Sequence, residues 1–301
     1  MATGKVWLRR SAIVLAGLAV LAAGALFTGD WLAQRKMARH VAVDVQAVAF
    51  RDDAASLARG RYLFASRGCV DCHGAQGNGH MFLDDGKGLR VKGPSISPGA
   101  GSVVAGYQPV DWVRAIRHGV DPRGRALMVM PSEDYNRLTD DDLAALVAYI
   151  RHLPPAEGTA AIVDLPLPVK ALYGFGAMHD AAAKIDHSLP PAKPVPDGVT
   201  LAHGAYVANM CLGCHGAQLA GGKIPGGPPD WPAAANLTPG EGTVMARYAD
   251  EAAFTQMFRS GKRPDGSAVQ VMPFGSLAQM NDTDVRALYL YLRSLPPRKK
   301  G

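Results

Sequence analysis

The sequence predicts an all-α protein in which one helical module occurs twice behind an apolar N-terminal helix. Three observations carry that expectation. Residues 11–29 form an uncharged run, the chain repeats itself at an offset of 142 residues, and each copy closes on a capped amphipathic helix stopped by two prolines.

The N-terminal element comes first. Segment 11–29 (SAIVLAGLAVLAAGALFTG) has 19 residues without a charge, close to the roughly 20 that span a bilayer. Lys5, Arg9 and Arg10 precede it, as expected of a cytoplasmic start with the remainder exported. The alternative is a signal peptide cut at Ala23-Gly24-Ala25, giving a soluble exported protein. Either way the chain leaves the cytoplasm. Residues 1–40 are therefore read as a signal-anchor segment, single-pass in the inner membrane, with the rest of the chain in the periplasm.

Beyond residue 40 the repeat organises the chain. Cys69-Val70-Asp71-Cys72-His73-Gly74-Ala75-Gln76 recurs as Cys211-Leu212-Gly213-Cys214-His215-Gly216-Ala217-Gln218. The same offset carries Arg117 onto Arg259, Gly119 onto Gly261, Val129-Met130-Pro131 onto Val271-Met272-Pro273, and Leu153-Pro154-Pro155 onto Leu295-Pro296-Pro297. A helix is expected to lead into each cysteine pair, over roughly 54–67 and 200–211. Thr139 is placed to cap the helix that closes the first copy, with Asp140, Asp141 and Asp142 in its first turn and Leu143, Leu146, Val147 and Ile150 on one face. Asn281 or Asp282 opens the matching helix of the second copy, with Val285, Leu288 and Leu292 inward. The boundaries expected are 41–155 and 198–301 for the two modules. Residues 156–197 form a Pro- and Ala-rich connector, too long for a tight turn and expected to pack along both modules.

Composition removes several function classes. The net charge of +6 belongs to the two ends. Residues 1–40 hold +5, from Lys5, Arg9, Arg10, Arg35, Lys36 and Arg39 against Asp30; Arg298, Lys299 and Lys300 add +3; the stretch between sums to −2. No basic face remains for nucleic acid. No Ser/His/Asp order, phosphate loop or carboxylate pair stands out, so no catalytic residue is assigned.

The cysteines carry the chemistry. All four lie in the two Cys-x-x-Cys-His motifs. A disulfide reading leaves the adjacent histidine unexplained, and a zinc reading needs further ligands at matching places, which the repeat does not supply. Covalent haem accounts for all three positions. The two thiols add to the two vinyl groups of one haem, and the next imidazole reaches the iron. Cys69, Cys72, Cys211 and Cys214 are thus the expected attachment points of two haem c groups, with His73 and His215 as axial ligands. Met130 and Met272 are the only two of the 11 methionines that superpose under the offset. Each precedes a proline that restricts its loop, and thioether with imidazole is a known cytochrome c ligation. They are the expected sixth ligands. Met128, Met210, Met245, Met257 and Met280 are read as core filler.

Taken together, the early CxxCH, the Met-Pro loop and the closing helix ending in Leu-Pro-Pro resemble class I cytochrome c domains, over roughly 52–155 and 198–297. The run NLTP (Asn236–Pro239), RSGKRPDG (Arg259–Gly266), VMP and LYLYLRSLPP is similar to haem modules of membrane-bound cytochrome subunits that accept electrons from periplasmic dehydrogenases. Members of that group often have three haems; this chain has two motifs. The resemblance implies that a proline carbonyl orients each proximal imidazole, with Pro94 the candidate in the first module and Pro228 or Pro232 in the second. Trp112 and Phe254 occupy equivalent positions and are read as core.

A six-coordinate iron offers no open position, so the expected function is electron transfer between a dehydrogenase-type donor and a terminal oxidase or soluble cytochrome. The rival class is a dihaem enzyme, peroxidase-like or thiosulfate-oxidising, and a third reading is a docking subunit. His40, His80, His118, His152, His179, His187 and His203 have no repeated partner and are given surface or supporting roles. Asp84-Asp85 and Asp140-Asp141-Asp142 are read as solvated charges.

Overall fold

The computed structural model describes residues 2–228 and 230–299; Lys300 of the basic tail lies outside them. The chain is 46% helix and 5% strand, so the all-α expectation holds. It begins with α1 (Ala2–Met37), a long helix in which an 18-residue window has mean hydropathy 2.2 and is almost wholly exposed.

The first module contains α2 (Ala54–Ser66), α3 (Cys69–His73), α4 (Pro109–His118), α5 (Ser132–Tyr135) and α6 (Asp140–Arg151). α2 and α6 cross at Gly60, where a Cβ would stand 2.0 Å from the Ala145 carbonyl oxygen. Only glycine permits that approach. Thr139 caps α6 as expected, its hydroxyl accepting from Asp142 N at 3.1 Å. Leu143, Leu146, Val147 and Ile150 are buried and pack with Leu63, Phe64, Trp112 and Ile116. Full burial of an aliphatic side chain contributes about 1.5–3 kcal/mol, so this face decides where α6 sits.

The second module repeats the plan with α9 (Leu201–Ala208), α10 (Leu212–His215), α11 (Glu251–Ser260), α12 (Phe274–Leu277) and α13 (Asp282–Ser294). Asn281 is the cap of α13. The glycine crossing recurs at Gly204, 2.0 Å from the Ala287 carbonyl oxygen. Gly60 and Gly204 stand 144 apart, not 142, because the second module is two residues shorter between this glycine and its first cysteine. Trp112 and Phe254 are buried, each edge-on to a tyrosine, Tyr107 and Tyr248.

The two modules meet through a reciprocal exchange. Tyr62 of the first donates to Asp284 of the second at 2.6 Å, and Tyr206 of the second donates to Asp142 of the first at 2.6 Å. Arg59 pairs with Asp142 (2.7 Å), while Asp284 bonds His203 (2.7 Å) and Arg67 (2.6 Å). Burial works against the charge of Asp284, but Arg67 and these donors still hold its carboxyl below the usual range. Asp142 therefore departs from the solvated role expected of it. It sits in the interface, and only Asp140 and Asp141 face water. His203 is likewise fully buried.

The connector also departs from expectation. It packs mainly on α1 and the first module. Its helix α7 (Leu167–Gly174) crosses α1 where Gly174 meets the Gly29 carbonyl oxygen and the Ala33 nitrogen. Arg39 forms a bidentate pair with Asp180 (2.8 and 2.6 Å), and Tyr173 donates to the same carboxylate. The short helix α8 (Ala181–Lys184) lies against Gly119, and His187 meets His118 Nδ1 to Nδ1 at 3.0 Å. A strand of the connector, β3 (Ile162–Asp164), completes a small antiparallel sheet with β1 (Met81–Asp84) and β2 (Arg90–Lys92).

Candidate haem sites

Each Cys-x-x-Cys-His segment is a single turn of helix cut off by glycine. Gly74 (φ 74°) and Gly216 (φ 77°) follow the histidines in conformations that a side chain disfavours. Beyond them, Gly79 N and Gly221 N donate back to the His73 and His215 carbonyls at 2.8 and 2.9 Å. The motif is thus closed into a loop by its own backbone before any cofactor is considered.

The two imidazoles are oriented alike. His73 Nδ1–H donates to the Pro94 carbonyl at 2.9 Å, as the resemblance implied. His215 Nδ1–H donates to the Ala235 carbonyl at 2.8 Å. The second module therefore uses Ala235, not Pro228 or Pro232. A carbonyl can only accept, so both rings carry their proton on Nδ1 and keep the lone pair on Nε2, the tautomer an iron ligand needs. Burial, only partly offset by the carbonyl bond, lowers the pKa of both rings and favours the neutral form.

Each module's apolar cluster has a cysteine of the motif and the aligned methionine packed against it. Cys69 and Met130 pack on one cluster, Cys211 and Met272 on the other. The methionine loops are tied at both ends. Arg117 joins α4 to the Leu138 carbonyl and Asp140, and Arg259 joins α11 to the Ala278 carbonyl and Asp282. These bonds explain why the repeat retains both arginines. Val271, directly before Met272, holds φ 71°, a strained setting for a β-branched residue. Of the other methionines, Met245, Met257 and Met280 are buried in the second core.

The donor set fits a covalent haem. The four cysteines form no disulfides and lie two by two beside an imidazole whose Nδ1 is committed to a carbonyl, leaving Nε2 for a ligand bond. Among the described residues no group of three or more His, Cys, Asp and Glu is arranged to hold a metal ion.

The motif segments also take part in the module interface. Ser276 on α12 donates to Asp71 inside the first motif at 2.7 Å, and Gly213 N inside the second donates to Asp134 on α5 at 2.9 Å. Each motif thus rests on the short helix after the other module's methionine. This exchange was not readable in the sequence, since neither a serine, a glycine nor the two aspartates repeat. Burial, with a smaller contribution from Glu133, pushes Asp134 up to about 7.

Similarity to known proteins falls into the same two halves. A cytochrome c family model matches residues 57–154 and again 201–296. The fructose dehydrogenase cytochrome subunit of Gluconobacter japonicus is 28% identical over 274 residues, covering 82% of this chain and 54% of that protein. The cytochrome c subunit of the quinone alcohol dehydrogenase of Gluconobacter oxydans is 28% identical over 285 residues, covering 83% and 56%. The chain thus spans just over half the length of these dehydrogenase subunits. A diheme cytochrome c-type protein of Cereibacter sphaeroides is 29% identical over 322 residues, covering 96% of this chain and 99% of that protein. On the two family matches, which account for most of the chain, it belongs to the cytochrome c family and holds two covalently attached haem c groups.

Proposed function

We propose that this protein carries electrons between membrane-associated redox partners at the periplasmic face of the inner membrane. Its haem domains are residues 41–155 and 198–301, joined by the connector 156–197 behind the anchor segment 1–40. Cys69 and Cys72 attach one haem, Cys211 and Cys214 the other. His73 and Met130 ligate the first iron, His215 and Met272 the second. The bound haem supplies a one-electron Fe(III)/Fe(II) couple. The chain's own residues do the rest. Pro94 and Ala235 fix the imidazole tautomers, and Arg117 and Arg259 hold the methionine loops. The apolar clusters exclude water, which favours the less charged ferrous state.

The observation that carries a relay is the exchange of Asp71 with Ser276 and of Asp134 with Gly213. It presses both haem-binding segments into one interface, so an electron entering at one module has a short path to the other. The donor is a dehydrogenase of the kind named for the relatives, and the acceptor an oxidase or soluble cytochrome. The long apolar α1 supports an anchor, which confines the exchange to the membrane surface and raises the effective concentration of partners held there.

Ligation is open to a direct test. Met130→Ala is expected to leave the haem covalently attached but to lower the potential of the first centre by more than about 59 mV, a tenfold change for one electron. It also opens that iron to cyanide while the second centre is unchanged. Potentiometric titration with cyanide difference spectra checks this. An unaltered potential removes Met130 as ligand, and peroxide turnover by the unmodified protein favours the enzyme reading.

A further inference from the structure

The connector helix α7 leaves one apolar face largely exposed. Ala171 and Tyr173 are buried against α1, but Leu172 and Phe175 are about half exposed, and Pro168, one turn before Leu172, is exposed on the same side. Positions 168, 172 and 175 fall at i, i+4 and i+7, a single stripe of the helix. Leu167 adds a fourth exposed apolar group at its start. For a segment lying in water this arrangement is unfavourable, and no charged residue interrupts it.

The height of α7 along α1 identifies what covers that stripe. The uncharged run 11–29 is about 28 Å long at 1.5 Å per residue, close to the roughly 30 Å hydrocarbon core of a bilayer. α7 crosses at Gly29 and Ala33, so it occupies the next ~6 Å, the depth of one interfacial layer. The Phe175 ring would lie 3.0 Å from a Cβ on Gly29, the last residue of the run. Trp31, exposed at the same level and covered on one side by Arg35, has the position of an interfacial aromatic. Apart from Arg35, which stays exposed over Trp31, the charges nearby are turned inward. Asp30 faces Lys170 and Gln34, Lys36 reaches the Tyr173 carbonyl, and Arg39 is held by Asp180. Polar groups are paired inside the bracket and apolar groups point out of it.

We propose that α7 is an interfacial membrane helix, with Leu172 and Phe175 inserted beside α1 into the periplasmic leaflet. The proposal rests on α1 spanning the bilayer. It gives the protein a second contact with lipid and fixes the two modules at a set height and tilt, where a single helix would leave them free to swing.

The test uses the full haem-loaded chain in vesicles of phosphatidylethanolamine and phosphatidylglycerol, doped with a phospholipid bearing a diazirine near the top of one acyl chain. After irradiation, mass spectrometry of the peptides is expected to place lipid adducts both within 11–29 and on 167–175. The double variant Leu172→Asp, Phe175→Asp is expected to lose the 167–175 adduct severalfold and to keep the one on α1, with its haem spectrum unchanged. Adducts on α1 alone in the unmodified protein overturn the interfacial helix and leave the span intact, as expected if a partner protein covers the stripe. Absence of adducts on α1 removes the span and the proposal with it.

Discussion

The two modules have the same plan but bury the same aspartate differently. Asp142, on the closing helix of the first, is neutralised by Arg59 of its own module and needs only a tyrosine hydroxyl from its neighbour. Asp284, its counterpart in the second, has His203 at the position of Arg59 and draws a full positive charge, Arg67, from across the interface. The first module is therefore self-sufficient in charge, and the second depends on the first. The helices of the two modules follow one plan, and the dependence turns on three side chains, Arg59, His203 and Arg67.

That asymmetry is open to direct attack. Arg67→Met strands a carboxylate at 1% exposure and is expected to cost about 3–5 kcal/mol, the usual penalty for breaking a buried pair. Arg59→Met, at a side chain one-quarter exposed, is expected to cost about 1–2 kcal/mol, since water and Tyr206 still reach Asp142. Denaturant unfolding followed at the haem bands measures both, and the reverse order would show that the dependence runs the other way.

A smaller contrast lies at the end of α4, where His118 of the first module stands against Ser260 of the second. Burial, then the neighbouring His187 and the flanking arginines, pushes His118 down to about 4. The unfolded chain takes up this proton near 6.5, and the folded one only near 4. Keeping His118 neutral therefore costs nothing above about pH 6.5, lowers stability as the pH drops through that window, and reaches its full cost below about 4. The expected loss is about 2 kcal/mol. Thermal melts from about pH 7 to 4 are expected to show this slope in the unmodified chain and a shallower one in His118→Ser.

The least effect concerns the methionine loops. Val271 holds a left-handed backbone, and Val129 at the matching position does not. Val271→Gly is expected to raise stability by up to about 1 kcal/mol as strain is released, while Val129→Gly lowers it by about 1 kcal/mol through backbone entropy. Paired chemical denaturation curves give the sign of each.

Much of this architecture is legible in the residues themselves. The cysteine motifs and the Met-Pro loops repeat as residue identities, and the caps at Thr139 and Asn281 repeat as a residue class, because each answers a local requirement that only a few residue types meet. The rest is hidden for physical reasons. The bond from His215 goes to a backbone carbonyl, and any residue offers one, so Ala235 leaves no signature where a proline is sought. Arg59 and His203 align only after a two-residue shift, which conceals their shared role. Asp142 looks like one of three helix-start charges, since nothing local says that a second module will cover it. The connector's bracket depends on small residues, Gly29, Ala33, Ala171 and Gly174, whose meaning appears only when two helices cross.

The mutual handshake of Tyr62 with Asp284 and Tyr206 with Asp142 has an evolutionary consequence. A residue touching, on the other half, the counterpart of its own partner is the mark of an isologous contact. One ancestral unit bearing that tyrosine and that aspartate would have paired with itself through this same face, before duplication joined the two genes into one. Arg67, which has no twin, is a point at which the two halves are no longer interchangeable.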